Sequence, residues 1–451
     1  MKTSNGSNPI EQVKEAIESL TRAPYEIFYI RKNNETIESK DETIDGYETA
    51  VTEGISIRIL DKGKMGFGYS TRLDTEGIHK MVRQALESLN VSSEDPAYGF
   101  LDPSAPYPTL SLHDSSLLSL TADQKKELTI SIEQAARSFD TRIKQVRNAQ
   151  VSIREARVRL YNALELDRSY TLTGISASIM LTAEDADASE YGWESISSHF
   201  LKDIPFKEIG KGAAKKAINR LGSRPAPSGQ YPAILDREVV AEIVALLSSS
   251  FTGENLYKKK SVLKDKEGQE VFSRHLTLYD GLLFEEGMAA APFDGEGEPA
   301  QNTLLVDHGV VVGFLFDHYY GKKVGKVSTA NSVRSGISTP PACGTTNLTL
   351  APGEIPLKDM VGSISDGFFI QELMGVHTAN PITGEFSLGA SGQRIENGKL
   401  TYPVHGVAIS GNLFDLLKRV EEVGSDLRWF DTIGVPHLLI GALNVAGSRG
   451  D

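Results

Sequence analysis

Two proline-rich breaks divide the chain, and they constrain its folding more than any single motif does. Ser93 to Ser115 holds Pro96, Pro103, Pro106 and Pro108 with little periodicity. Ser223-Arg224-Pro225-Ala226-Pro227-Ser228-Gly229 sets two prolines and a glycine among small residues. Proline removes a backbone donor and biases the residue before it away from helix, so both stretches read as linkers. With 451 residues to distribute, the expected organisation is an N-terminal domain over 1–110, a middle domain over 116–222 and a C-terminal domain over 230–451.

The first two units share a plan. In the first, Val13, Ala16, Ile17 and Leu20 recur at helical spacing. Strands are expected at Tyr25 to Arg31 and Gly54 to Leu60, then a helix from Thr75 to Leu89. In the second, a helix over Ala122 to Phe139 precedes strands at Gln145 to Leu160 and Leu172 to Thr182, then a helix over Phe206 to Leu221. Gly54-Ile55-Ser56-Ile57-Arg58-Ile59 echoes Gly174-Ile175-Ser176-Ala177-Ser178-Ile179, which suggests a duplication.

Beyond Gly229 the pattern is β-rich. Asn397-Gly398 is a hairpin signal because both residues tolerate φ > 0. Leu304 to Val306 and Val310 to Val312, joined by Asp307-His308-Gly309, give a second hairpin. Helices are expected at Arg237 to Phe251, Leu357 to Ser365 and Leu413 to Val423. Strands and helices without regular alternation predict an α+β, multi-domain protein: duplicated α/β units followed by a β-rich domain.

Lys+Arg number 47 and Asp+Glu 60, a net charge of −13, which argues against nucleic acid as a partner. Cys343 is the only cysteine, so a disulfide framework and a Cys-rich zinc module are excluded. The start, Met1 to Gly6, has no apolar stretch of a signal peptide, and the run Val310 to Phe316 is too short to span a membrane. These features predict a cytoplasmic protein without a membrane partner.

No nucleophile elbow, dinucleotide fingerprint, phosphate loop or His-Glu-x-x-His is present. His308 and His318 each follow an aspartate, but roughly ten residues of strand, ~30 Å, would separate them. In an extended strand Asp294, Glu296 and Glu298 would share one face and offer oxygen ligands to a hard cation. Between Leu276 and Gly321 there are eight acidic residues and no Lys or Arg. The alternative is a glycine-rich loop with solvated acids. Gly253 to Val271, with five lysines, reads as a solvated loop or a polyanion contact. Ser328 to Arg334 reads as a capped turn or as a site that recognises a peptide or an anion through backbone and hydroxyl groups. Cys343 has no base near it in sequence and reads as an idle thiol. By this reading no residue earns a catalytic, metal-binding or cofactor-binding assignment.

Several strings nonetheless recur together in a known order. They include Pro292-Phe293-Asp294-Gly295-Glu296-Gly297, Ser328-Thr329-Ala330-Asn331-Ser332-Val333-Arg334 and Asn347-Leu348-Thr349-Leu350-Ala351-Pro352-Gly353. Gly375-Val376-His377, Asn380-Pro381-Ile382-Thr383-Gly384-Glu385-Phe386-Ser387, Gly389-Ala390-Ser391-Gly392 and Ile409-Ser410-Gly411-Asn412-Leu413 follow. In these the chain resembles the TldD/PmbA family, and within it the PmbA (TldE) branch. The resemblance implies a heteromeric zinc metalloprotease, built from TldD-type and TldE-type chains, that processes extended peptides or degrades small unfolded proteins. In TldD-type chains a helix bearing His-Glu-x-x-x-His supplies two zinc ligands and the base, and a later cysteine completes the site.

Here those motif positions fall on Val244, Ala245 and Ser249. Arg237 to Leu256 contains no histidine, and no cysteine follows Gly424. The resemblance therefore implies a non-catalytic subunit without its own cofactor, with zinc in a TldD-type partner; alone, such a chain could form a homo-oligomer. Two alternatives stay open: a self-sufficient metal-dependent hydrolase using residues such as His308, His318 and Asp294, or a non-catalytic module that binds peptides along a sheet edge.

Overall fold

A computed structural model of the chain describes residues 9–102, 106–186 and 188–447. Pro103 and the opening Met1 to Gly6 lie outside these residues.

The two N-terminal units build one six-stranded antiparallel sheet, in the order β3-β2-β1-β4-β5-β6. The first unit contributes α1 (Pro9–Leu20), β1 (Tyr25–Lys40), β2 (Thr43–Asp61), β3 (Lys64–Ser70) and α2 (Thr75–Val91). The second contributes the short α3 (Ser115–Ser119), α4 (Ala122–Arg137), β4 (Ile143–Asn162), β5 (Asp167–Asp185), β6 (Ala188–Ser198) and α5 (Phe206–Ile218). The repeat is visible in the fold. Each unit is helix, three strands, helix, and β1 meets β4 at the centre with Ile30 opposite Val158. The echoing Gly-Ile-Ser strings occupy the middle strand of each unit.

Strand alternation then sorts the side chains. Ile55, Ile57 and Ile59 pack under α1 and α2, while Ile175, Ala177 and Ile179 pack under α4 and α5. Phe28, Val158 and Leu160 point the other way and pack against Phe293 of the C-terminal region. One face thus carries helices and the other carries the rest of the protein. The stretch 106–115 is irregular but docked: the Tyr107 hydroxyl donates to the Gly297 carbonyl (2.7 Å) and Thr173 N–H donates to the Leu112 carbonyl (2.9 Å).

The C-terminal region opens with β7 (Gly229–Leu235) and α6 (Arg237–Ser248). β7 lies between the strands Asp366–Met374 and Leu438–Ala446. Pairing of Lys399–Asn412 back onto Leu438–Ala446 closes this sheet into a barrel. A second six-stranded sheet contains Leu278–Gly281, Asn302–Asp307 and Leu348–Leu350. The apolar face of α6 shares one core with both sheets.

Both expected hairpins form on left-handed turns, His308 (φ 45°) with Gly309 (φ 85°) and Asn397 (φ 51°) with Gly398 (φ 72°). Three expectations need correction. The helix expected over Leu413 to Val423 stops at Lys418, and Val420–Val423 becomes a strand on Leu438–Ala446, because burying Val420 and Val423 favours the sheet. Gly253 to Val271 is no solvated loop throughout: Gly253–Tyr257 is a helix capped by Thr252, and Ser261 and Leu263 are buried. Asp294, Glu296 and Glu298 do not line an extended strand, since their backbone curls into a turn that bridges Phe293 to Pro299.

Candidate functional site

The site implied by the family resemblance lies on α6. Asp236 caps this helix by accepting the Glu238 N–H (3.1 Å), and Val239, Val240, Ile243, Val244 and Leu247 form its apolar stripe. Val244 is 1% exposed and belongs to the shared core. Ala245 is exposed on the opposite side. Ser249 follows the last turn, and its carbonyl accepts the Thr252 hydroxyl (3.1 Å) and Asn255 Nδ2 (2.8 Å). Zinc in proteins takes imidazole, thiolate or carboxylate ligands. The side chains of these three residues therefore do not fit a zinc ion. Among the described residues, no group of three or more His, Cys, Asp or Glu is gathered for a metal.

The polar edge of α6 faces a cleft of about 230 Å³ between the second N-terminal unit and the C-terminal region. Tyr191, Trp193, Lys216 and Arg220 line it from the N-terminal unit, and Glu238, Glu242 and Glu372 line it from the C-terminal region. Most of its charges are matched. Lys216 pairs with Glu238 (2.6 Å), Arg220 pairs with Glu372 (2.9 Å), and the Tyr191 hydroxyl donates to Glu372. Glu242 is the exception, with an enclosed Oε2 that lacks a hydrogen-bond partner. Burial, then the like charges of Glu238 and Glu372, pushes its carboxyl up to about 7. Such a group exchanges a proton near neutrality, as a general acid or base must. Sequence reading passed over Glu242; its position one turn after Glu238 on the polar edge of an apolar helix was the available signal.

At the N-terminus of α6, buried His437 lies with Nδ1 2.9 Å from Asp426 Oδ1 and Nε2 3.5 Å from Asp236 Oδ2. This joins the helix cap to the last strands and explains the packing role of a histidine that the sequence left unassigned.

Among the acids of 294–298, Glu296 meets an arginine from a distant part of the chain. Arg58 of β2 grips Glu26 through Nε (2.9 Å) and Nη2 (2.6 Å), and Nη1 reaches Glu296 (2.8 Å). Arg334 pairs with Glu26 as well. Burial raises the Glu296 carboxyl, but Arg58 outweighs it and holds the group below its usual range. Asp294 accepts N–H groups from Glu296, Glu298 and Ser332, each at 2.9 Å, so it organises the turn. Its burial and the charge of Glu296 push it up to about 8. Glu296 thus ties the N-terminal sheet to the C-terminal region, and Asp294 holds the turn that carries it.

His308 and His318 are not brought together. His308 sits at an exposed hairpin tip with Nδ1 2.6 Å from Asp307 Oδ1. His318 begins the helix His318–Val324, where its N–H donates to Glu296 (3.1 Å). Cys343 is buried, its thiol faces the Leu315 carbonyl (3.2 Å), and burial pushes it up to about 12, the opposite of an activated nucleophile. In Ser328 to Arg334, Asn331 Nδ2 donates to buried Asp280 (2.6 Å) and Ser332 N–H to Asp294, so the segment is structural.

Three family models match the chain: PmbA/TldA metallopeptidase domain 1 over 25–89, the central domain over 115–221 and the C-terminal domain over 228–447. The chain is 26% identical to Metalloprotease PmbA of Escherichia coli O157:H7 over 87% of its own length and 85% of the relative's. It is also 26% identical to a Haemophilus influenzae PmbA homolog, over 97% and 96%. Among solved structures, a Thermotoga maritima protein described as a candidate DNA gyrase modulator superposes with TM-score 0.89 at 27% identity, covering 97% of this chain and all of that one. TldE from Thermococcus kodakarensis gives 0.90 at 22% identity, covering 98% and 100%, a likeness of fold.

Proposed function

Because the chain belongs to the PmbA/TldD metallopeptidase family, we propose that it is the TldE-type subunit of a heteromeric zinc peptidase acting on extended peptides in the cytoplasm. In this reading the metal and the general base come from a TldD-type partner. What supports it is the identity and setting of Val244, Ala245 and Ser249: an apolar side chain built into the core, a methyl group and a helix-ending serine occupy the positions to which the family resemblance assigns the ligands and base of TldD-type chains. Zinc peptide hydrolysis needs several ligands, an open coordination position and a base.

A second reading has Glu242 in its favour. A half-buried carboxyl titrating near neutrality, beside exposed aromatic rings, could serve a hydrolase that works alone. Peptide hydrolysis assayed with this chain alone, with its TldD-type partner alone and with both separates the two. The subunit reading expects full turnover only with both chains and unchanged turnover in the complex carrying Glu242→Gln. Hydrolysis by this chain alone, lost in Glu242→Gln, would overturn it.

A further inference from the structure

An apolar cavity lies away from α6. A groove of about 490 Å³ runs between Asn302–Asp307, the helix His318–Val324 and the segment after Gly253–Tyr257. Leu256, Leu304, Phe314 and Phe316 line it. On its lips Val312, Val324 and Val327 are 38%, 39% and 83% exposed. A solvent-facing valine at that level is ordinary by itself, but three around one apolar groove leave a surface that water covers poorly.

The charge around the groove is also anomalous. Residues 256–267 and 322–327 together carry eight lysines against two acids, in a chain whose net charge is −13. Lys258, Lys264, Lys323 and Lys326 find carboxylates. The charges that line the groove itself pair with one another, Lys264 with Asp265 and Lys326 with Glu267, whereas Lys259, Lys260, Lys266 and Lys322, on the two segments that border it, form no ion pair among the described residues. An apolar channel whose bordering segments carry unmatched cations complements a segment that pairs apolar side chains with carboxylates placed further out. Nucleic acid would answer the charge but not bury the valines. A lipid surface is flat where this site is concave.

We propose that this groove docks an acidic, apolar segment of the TldD-type partner subunit, an inference that rests on the subunit reading above. Apolar contact with Val312 and Val327 supplies the seat, and the unpaired lysines on the bordering segments supply orientation and a faster encounter.

The test measures binding of the full chain to the TldD-type subunit of the same organism by surface plasmon resonance, at low and at physiological salt. Val327→Asp is expected to weaken binding at least tenfold with unchanged thermal melting, because the side chain is exposed. A variant with Lys259, Lys260, Lys266 and Lys322 each changed to Glu is expected to slow association and to flatten its salt dependence. Wild-type affinity in both variants overturns the groove assignment while leaving the subunit reading standing. No binding by the unmodified chain overturns the subunit reading and the groove with it. Binding of anionic vesicles or single-stranded DNA at the groove, abolished by the lysine variant while partner affinity is untouched, also overturns it.

Discussion

Arg58→Met offers a sharp test of how the N-terminal sheet is held to the C-terminal region. Arg58 makes three charge-assisted hydrogen bonds, two to Glu26 and one to Glu296, at 2.6–2.9 Å. The side chains of Arg58, Glu26 and Glu296 are 8%, 2% and 7% exposed. Methionine fills much of the same volume but returns no charge. Glu26 keeps Arg334, whereas Glu296 is left with the His318 N–H. Removing one partner of a buried ion pair typically costs about 3–5 kcal/mol, because the charge left behind lacks compensation. A large multidomain chain need not unfold in one step, so a global midpoint is a poor readout. Hydrogen exchange of peptides spanning 292–299 and 328–334 reports the seam directly. At 1.36 kcal/mol per decade, exchange there should accelerate by about 10² to 10⁴. Adding Glu296→Gln to Arg58→Met should recover part of the loss, since the orphaned charge is then gone. Acceleration below about tenfold, or no recovery in the double variant, would refute the claim that this network bears on docking.

Three further outcomes follow from the same geometry. Glu242 has a raised carboxyl, so its site is most stable below the ordinary carboxylate range and loses stability as pH climbs through about 7. Melting of Glu242→Gln relative to wild type should therefore improve between pH 5 and pH 8, and a pH-independent difference would contradict the assignment. Cys343 should resist a thiol reagent at pH 7.5 in the folded chain and react on denaturation; rapid native labelling would show that it is not enclosed. Writing the family motif back as Val244→His, Ala245→Glu and Ser249→His should cost roughly 2 kcal/mol or more, since an imidazole at Val244 enters an apolar core. Calorimetry should show no tight zinc binding by that variant, and stoichiometric uptake would mean that α6 already points into a metal-competent cavity.

What could be read from the residues depended on the range of the interactions involved. Asn397-Gly398 and His308-Gly309 declared their hairpins because positive φ is a local demand. Helices such as Thr75–Val91 were legible from apolar spacing and closed by local caps, here the Asp74 carboxylate on Gly77 N–H. The N-terminal strands were underestimated: β1 runs on to Lys40 and β2 starts at Thr43, because their distal halves are polar on both faces and show no alternation. The pairing of Arg58 with Glu296, 238 residues apart, has no local signature. Nor could Glu296 reveal its arginine, which comes from β2. Val244, Ala245 and Ser249 came from family resemblance alone, whereas Glu242 acquires its chemistry only when α6 meets Glu372 and the Tyr191 wall.

The most direct measurement of the central claim is zinc content by plasma mass spectrometry, on this chain purified alone and in complex with its TldD-type partner, from cells supplied with zinc. The account predicts less than roughly one zinc per ten chains alone and about one per partner chain in the complex, because catalytic zinc is held stoichiometrically by several ligands. Near-stoichiometric zinc on the isolated chain, lost when His308 or His318 is replaced, would contradict it and make this chain a metalloenzyme with its own ligand set.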